Sequence, residues 1–165
     1  MKGQEQLFSS KSDSWETPNW LFDELNKEFN FTLDPCSSNS NRKTSKYYTI
    51  VEDGLTQDWL GETVFVNPPY SKVEKWVAKC YEQWKNGVTV VMLLPSRTSN
   101  KWFHKYIYNQ EGVEIRFVKG RIVFEIDGKP VLDKKGNKMC APFPTMIVVF
   151  NKSLELPNPP ETFNV

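Results

Sequence analysis

Leu21, Phe22, Leu25 and Phe29 recur at helical spacing after Thr17-Pro18, which predicts an amphipathic helix over residues 18–28. Thr17 is placed to cap that helix and Pro18 to fill its first position, where a missing N–H costs nothing. Phe31-Thr32-Leu33-Asp34 reads as a short strand, and the Ser- and Asn-rich stretch 35–41 as a loop. Thr63-Val64-Phe65-Val66 is a second strand that stops at two prolines, which cannot donate to a sheet ladder. Ser71 is placed to cap the next helix, where Val73, Trp76, Val77, Cys80, Tyr81 and Trp84 fall at i, i+3, i+4, i+7, i+8 and i+11. Trp76 and Trp84 share that stripe and are expected in the core. Asn86-Gly87 ends the helix, and the unbroken apolar run 88–94 suits a strand covered on both faces.

Residues 100–108 carry a weaker helical pattern, 114–118 and 145–150 read as strands, and 122–131 as a hairpin turning at Asp127-Gly128. This alternation predicts a three-layer α/β domain with right-handed crossovers, a mainly parallel sheet, and antiparallel strands near the C-terminus. Ligands of such sheets bind outside the carboxyl ends of the strands, where the loops 34–41, 67–71 and 95–100 fall. One domain is expected over residues 15–152, between a flexible polar segment 1–14 and a Pro-rich tail 153–165.

Composition narrows this picture. With 165 residues, 39% hydrophobic, 14% aromatic and six Trp, the chain is too apolar for disorder and has room for a single full core. Its 21 basic and 20 acidic side chains leave a net charge of +1, which excludes a global positive field for holding a polyanion. Nucleic-acid contact then has to rest on a local patch. Arg97, Lys101, Lys119 and Arg121 follow the strands that flank the expected site, and Lys129, Lys134, Lys135 and Lys138 decorate the hairpin-like excursion. Cys36, Cys80 and Cys140 are widely spaced and His104 is the one histidine, so no disulfide framework and no metal site are expected. No apolar run approaches the roughly 20 residues of a bilayer span, and 1–14 lacks a signal-peptide core, so a cytoplasmic location is expected.

Asn67-Pro68-Pro69-Tyr70 is the tetrapeptide that speaks most directly of chemistry. Two prolines fix the backbone and remove two donors, leaving carbonyl oxygens and the Asn side-chain oxygen as acceptors for an amino group. An aryl amine donating both hydrogens there is drawn towards tetrahedral geometry, which frees its lone pair for attack on an electrophilic methyl. Tyr70 is placed to stack on the heterocycle. Such a site works by positioning and electrostatics without a strong base, which assigns His104 to the surface. The same tetrapeptide is also a rigid turn after a strand, whatever its chemistry.

Several segments in order along residues 15–150 resemble the S-adenosylmethionine-dependent amino-methyltransferases, and among them the phage-type DNA N6-adenine methyltransferases. Trp15-Glu16-Thr17-Pro18 resembles the segment contacting the methionine end of the cofactor, and Asp34-Pro35-Cys36-Ser37 the acidic end of the first strand. Asp53-Gly54-Leu55, followed by Asp58-Trp59, resembles the loop contacting the cofactor's adenine, and Asn67-Pro68-Pro69-Tyr70 matches the catalytic motif. Leu94-Pro95-Ser96-Arg97-Thr98, Lys101-Trp102-Phe103-His104, Gly120-Arg121-Ile122 and Ala141-Pro142-Phe143-Pro144 resemble the later landmarks. In one respect the chain departs from the superfamily: residues 34–39 carry no Gly-x-Gly turn.

The resemblance implies a Rossmann-like methyltransferase fold, S-adenosylmethionine as cofactor, and double-stranded DNA as partner of a monomer or weak dimer. It assigns catalysis to Asn67, Pro68, Pro69 and Tyr70. Cofactor binding falls to Trp15, Thr17, Pro18, Asp34, Pro35, Cys36, Asp53 and Asn67, and base or DNA contact to Tyr70, Arg97, Arg121 and Phe143. Each has a plainer reading: Asp34 as a loop cap, Asp53 and Asp58 as turn residues competing for the cofactor's adenine, Phe143 as core. No acidic residue between Ser38 and Val51 suits the cofactor ribose. Methylation of an RNA base or a glutamine amide, or a non-catalytic nucleic-acid-binding relative, are the alternative functions.

Overall fold

The first helix, α1 (Asn19–Phe29), buries Leu21, Phe22 and Leu25 on one face, as its periodicity requires. The computed structural model, which describes Asp13, residues 15–154 and the backbone of 161–164, corrects its start. Pro18, not Thr17, is the N-cap, without a side-chain cap; its carbonyl accepts the N–H groups of Leu21 and Phe22 at 3.1 and 3.2 Å. Thr17 is buried instead beside the ligand cleft described below. Asn30 ends the helix in the left-handed region, φ 54°, a conformation its short polar side chain tolerates.

The strands β1 (Leu33–Asp34), β2 (Lys46–Tyr47) and β3 (Thr63–Val66) lead to a 3-10 turn (Tyr70–Lys72) and to α2 (Val73–Lys85). Ser71 does not cap α2: its N–H and hydroxyl both donate to the Asp13 carboxylate, at 3.0 and 2.5 Å. Then follow β4 (Thr89–Pro95), α3 (Lys101–Tyr106), β5 (Val113–Lys119), the hairpin β6 (Glu125–Ile126) and β7 (Lys129–Pro130), β8 (Thr145–Phe150) and β9 (Glu161–Asn164). Asp127 and Gly128 sit at φ 51° and 70°, the consecutive left-handed pair that a two-residue hairpin needs.

The main sheet has the order β2-β1-β3-β4-β8-β5-β9. Every pairing is parallel except those of β8, which runs antiparallel between β4 and β5. The expected Rossmann-like α/β domain with a mainly parallel sheet is therefore present. β2 and β9 were not apparent in the sequence. β2 is two residues long, too short to show a period, and β9 falls in the segment expected to be a loose tail, where its pairing with β5 comes from the sheet edge rather than from local pattern.

Alternate residues of the central strands feed two cores. Val90, Met92 and Leu94 of β4, with Met146, Val148 and Phe150 of β8, pack under α2 against Trp76, Val77 and Trp84. Val91, Leu93, Ile147 and Val149 point the other way, into the core with Leu21, Phe22 and Leu25 of α1. The continuous apolar runs thus reflect burial on both faces. At about 1.5–3 kcal/mol for each large apolar side chain buried, these layers outweigh exposed ion pairs such as Lys27–Glu24, each worth at most about 1 kcal/mol.

Candidate active site

The turn of residues 67–70 leaves the carboxyl end of β3, its geometry set by Pro68 and Pro69. The Asn67 Nδ2 donates to the Trp15 carbonyl at 2.9 Å. A carbonyl only accepts, so this bond fixes the amide with nitrogen towards Trp15 and leaves Oδ1 as the acceptor on the other side. Pro69's carbonyl is occupied by the Lys72 N–H at 2.9 Å, whereas Pro68's takes no donor among the described residues. Two acceptors, the Asn67 Oδ1 and the Pro68 carbonyl, thus take no donor among the described residues.

Beside it lies a cleft of about 490 Å³, within the range of small-molecule sites. Trp15, Thr17, Asp34, Pro35, Cys36, Asp53 and Asn67 meet on it, although they come from separate stretches of the chain. Pro18 is not on the cleft; it is spent on starting α1. The Asp34 carboxylate, 4% exposed, accepts the N–H groups of Cys36 and Lys43 at 3.3 and 3.1 Å. Burial pushes its pKa up to about 6, with those two bonds and the Lys43 charge pulling the other way. Burial, then the neighbouring Asp34, holds the Cys36 thiol well above its usual range, so it serves as a neutral wall.

Asp53 and Asp58 are separated by the fold. Asp53 lines the cleft from a left-handed backbone, φ 51°, with its carboxylate accepting the Leu55 N–H at 3.2 Å. Asp58 lies off the cleft and accepts the Leu60 N–H of its own turn at 3.0 Å.

The missing Gly-x-Gly turn has a structural counterpart in Gly54. A Cβ there would stand 2.0 Å from the Pro35 carbonyl oxygen, so only glycine lets the 53–55 loop close against the loop after β1. Beyond β2 the cleft is lined by Thr49 and Ile50, with no carboxylate between residues 38 and 51. Ile50 is 88% exposed, an apolar side chain standing at the cleft mouth.

Tyr70 is 5% exposed rather than presented to solvent. Its ring meets Phe143 and Phe124 edge-on, with centroids 5.2 and 6.4 Å apart, and Trp15 stacks on Phe124 at 5.2 Å. Phe143 is half-buried, with the Arg97 guanidinium 5.9 Å over its ring. The Tyr70 hydroxyl, Trp15 Nε1, Ser96 Oγ and Thr145 Oγ1 are buried without a hydrogen-bond partner among the described residues. Ser96 and Thr145 adjoin Phe143 through the Ser96–Pro144 backbone bond and the Pro95–Thr145 pairing. Orphaned buried groups cost about 1–3 kcal/mol each; Trp84 Nε1, in the core on the other face of the sheet, is likewise without a partner among the described residues.

Arg97, Lys101, Lys119 and Arg121 are exposed. His104 is exposed too and packs edge-on to Phe103 and Tyr108. Among the described residues no cluster of His, Cys, Asp or Glu is arranged for a metal ion, and no helix is long and apolar enough to cross a membrane. Glu16 and Gly54 lie inside the segments 15–18 and 53–55 that the resemblance marks but carried no role of their own there, and nothing local marks Ile50, which also lines the cleft.

Comparison with known proteins agrees with this geometry. The DNA N-6-adenine-methyltransferase of Haemophilus phage HP1 (strain HP1c1) is 33% identical over 144 residues, covering 86% of this chain and 80% of that protein. The DNA N-6-adenine-methyltransferase of Escherichia phage T1 is 31% identical over 119 residues, 70% of this chain and 49% of that longer protein. Residues 4–161 match the family described as DNA N-6-adenine-methyltransferase (Dam). With that match over nearly its whole length, and the acceptor turn and cleft in place, the chain belongs to the DNA N-6-adenine-methyltransferase (Dam) family.

Proposed function

We propose that this adenine-specific DNA methyltransferase acts on N6 of an adenine extruded from double-stranded DNA, with S-adenosylmethionine as methyl donor. The observation that carries this reading is the Asn67 amide, pinned by the Trp15 carbonyl, with its Oδ1 and the Pro68 carbonyl both without a donor among the described residues. Those two oxygens accept the two hydrogens of the adenine amine, and Pro69 keeps the turn rigid. No general base is called for.

The cleft fits the cofactor in size and in chemistry. Asp34 answers its ammonium, Asp53 its adenine amine, and Trp15, Thr17, Pro35, Cys36 and Asn67 the surfaces between. When bound, S-adenosylmethionine supplies an electrophilic methyl group. The Ser96 and Thr145 hydroxyls, unpartnered among the described residues, donate to ring nitrogens of the base. Entry of the base displaces Phe143 from the edge of Tyr70, so that Tyr70 stacks on one face and Phe143 closes the other. Arg97 and Arg121 hold flanking phosphates.

The test uses methyl-labelled S-adenosylmethionine, unmethylated double-stranded DNA, and product nucleosides resolved by mass. Label is expected in N6-methyladenine, and Asn67→Ala is expected to abolish it while S-adenosylhomocysteine still binds. Label in RNA or protein amides but not DNA would overturn the substrate; full activity of Asn67→Ala would overturn the site.

A further inference from the structure

One short segment, residues 13–17, touches both the catalytic turn and the distant β6–β7 hairpin. On the catalytic side, the Asp13 carboxylate holds Ser71 and the Trp15 carbonyl holds the Asn67 amide at 2.9 Å. On the hairpin side stands Glu16. Its backbone exchanges hydrogen bonds with Glu125, at 3.0 and 3.1 Å. Its carboxylate, 8% exposed, accepts the N–H of Asp127 on one oxygen and of Gly128 on the other, at 3.0 and 3.1 Å.

A carboxylate that accepts two backbone N–H groups grips them more firmly than a neutral acceptor does. The consecutive left-handed residues of the turn, φ 51° and 70°, aim both groups at it. Because Glu16 directly follows Trp15 in the chain, any shift of the hairpin is transmitted to the Trp15 carbonyl. That carbonyl selects which end of the Asn67 amide faces the substrate. If it moves away, the amide is free to flip and present a donor where an acceptor is required.

We infer that Glu16 is a positioning residue: by clamping the Asp127-Gly128 turn to the segment that carries the Trp15 carbonyl, it couples the hairpin to the orientation of the Asn67 amide. The hairpin continues into the exposed stretch bearing Lys134, Lys135 and Lys138, so the same clamp links a basic surface excursion to the reacting atoms. The inference rests on Asn67 accepting the target amine.

The experiment measures single-turnover methylation by the full chain at saturating DNA and S-adenosylmethionine, for Glu16→Gln, Gly128→Pro and the double variant. Glu16→Gln keeps the volume and loses one acceptor. Gly128→Pro, whose ring fixes φ at about −65° where this residue stands at 70°, breaks the exposed turn and withdraws both donors from the carboxylate, and it carries the test if Glu16→Gln does not fold. Each single variant is expected to lose on the order of 10- to 100-fold in the rate of methyl transfer. Glu16 and Asp127 also line the cleft, so S-adenosylhomocysteine affinity is measured alongside and is expected to fall by much less than the rate, and the double variant should be no slower than the worse single one. Wild-type rates in both single variants, multiplicative losses in the double, or a rate loss matched by lost S-adenosylhomocysteine affinity would each overturn the inference. Asn67→Ala, run alongside, fails independently: if it turns over normally, the premise is wrong and the coupling with it.

Discussion

Asp34 carries a pH dependence whose sign follows from its burial. Its folded pKa, about 6, lies above the ordinary aspartate value, so its contribution to stability is full below that ordinary value and is lost as pH rises through about 6. The difference is on the order of 3 kcal/mol. A cationic ligand group reverses the balance by favouring the ionised carboxylate. Affinity for S-adenosylhomocysteine is therefore expected to weaken about tenfold per pH unit below 6, and calorimetric titration of wild type against Asp34→Asn checks that the dependence vanishes in the variant. Gly54 makes a steric argument: with Pro35 backbone 2.0 Å from where a Cβ would be, Gly54→Ala must push apart the two loops that wall the cleft. A loss of about 1–3 kcal/mol in thermal unfolding is expected, together with weaker S-adenosylhomocysteine binding. Asn67 and Asp34 were legible as candidates in the sequence because each stands at the end of a strand, whereas Asp53, in the long loop after β2, was marked only by the family resemblance. Glu16 was not legible, since its two partners lie more than a hundred residues away in the chain.

Phe143 illustrates what the loop before β8 does. It lies half-buried between Tyr70 and Arg97, and an edge-on aromatic contact of this kind contributes only about 0.5–1.5 kcal/mol beyond its area. Phe143→Ala is therefore expected to fold, to leave S-adenosylhomocysteine affinity unchanged, and to raise the KM for DNA; a steady-state titration of DNA checks this. The helices were readable because α1 and α2 each bury one stripe. Their caps were not: Thr17 and Ser71 are good capping types, but the fold draws Thr17 to the cleft and Ser71 to Asp13. Local capping preferences of about 1 kcal/mol yield when tertiary partners offer as much.

With a net charge of +1, attraction for DNA has to come from local basic patches, and the proposed contact surface is the one carrying Arg97, Arg121 and the 129–138 excursion. Observed DNA affinity is expected to fall with salt on a log–log slope between about −2 and −5, and Lys134→Glu with Lys135→Glu to reduce its magnitude by about 2. Fluorescence anisotropy across a salt series reads both values. The sheet that carries these loops combines parallel strands with the single reversed β8, and it places the ends of β1, β3 and β4 at one edge, the side where the cleft opens.

The α/β class, the two helices with clear stripes, the doubly buried strands and the acceptor turn were determined by the sequence alone, because periodicity and proline chemistry act over a few residues. The position of β8 between β4 and β5, the pairing of β9, the close approach of Gly54 to Pro35, and the clamp of Glu16 on the hairpin were decided only by the tertiary structure. Each depends on segments far apart in the chain being brought within hydrogen-bond or van der Waals reach, and forces of that range leave no local pattern to read.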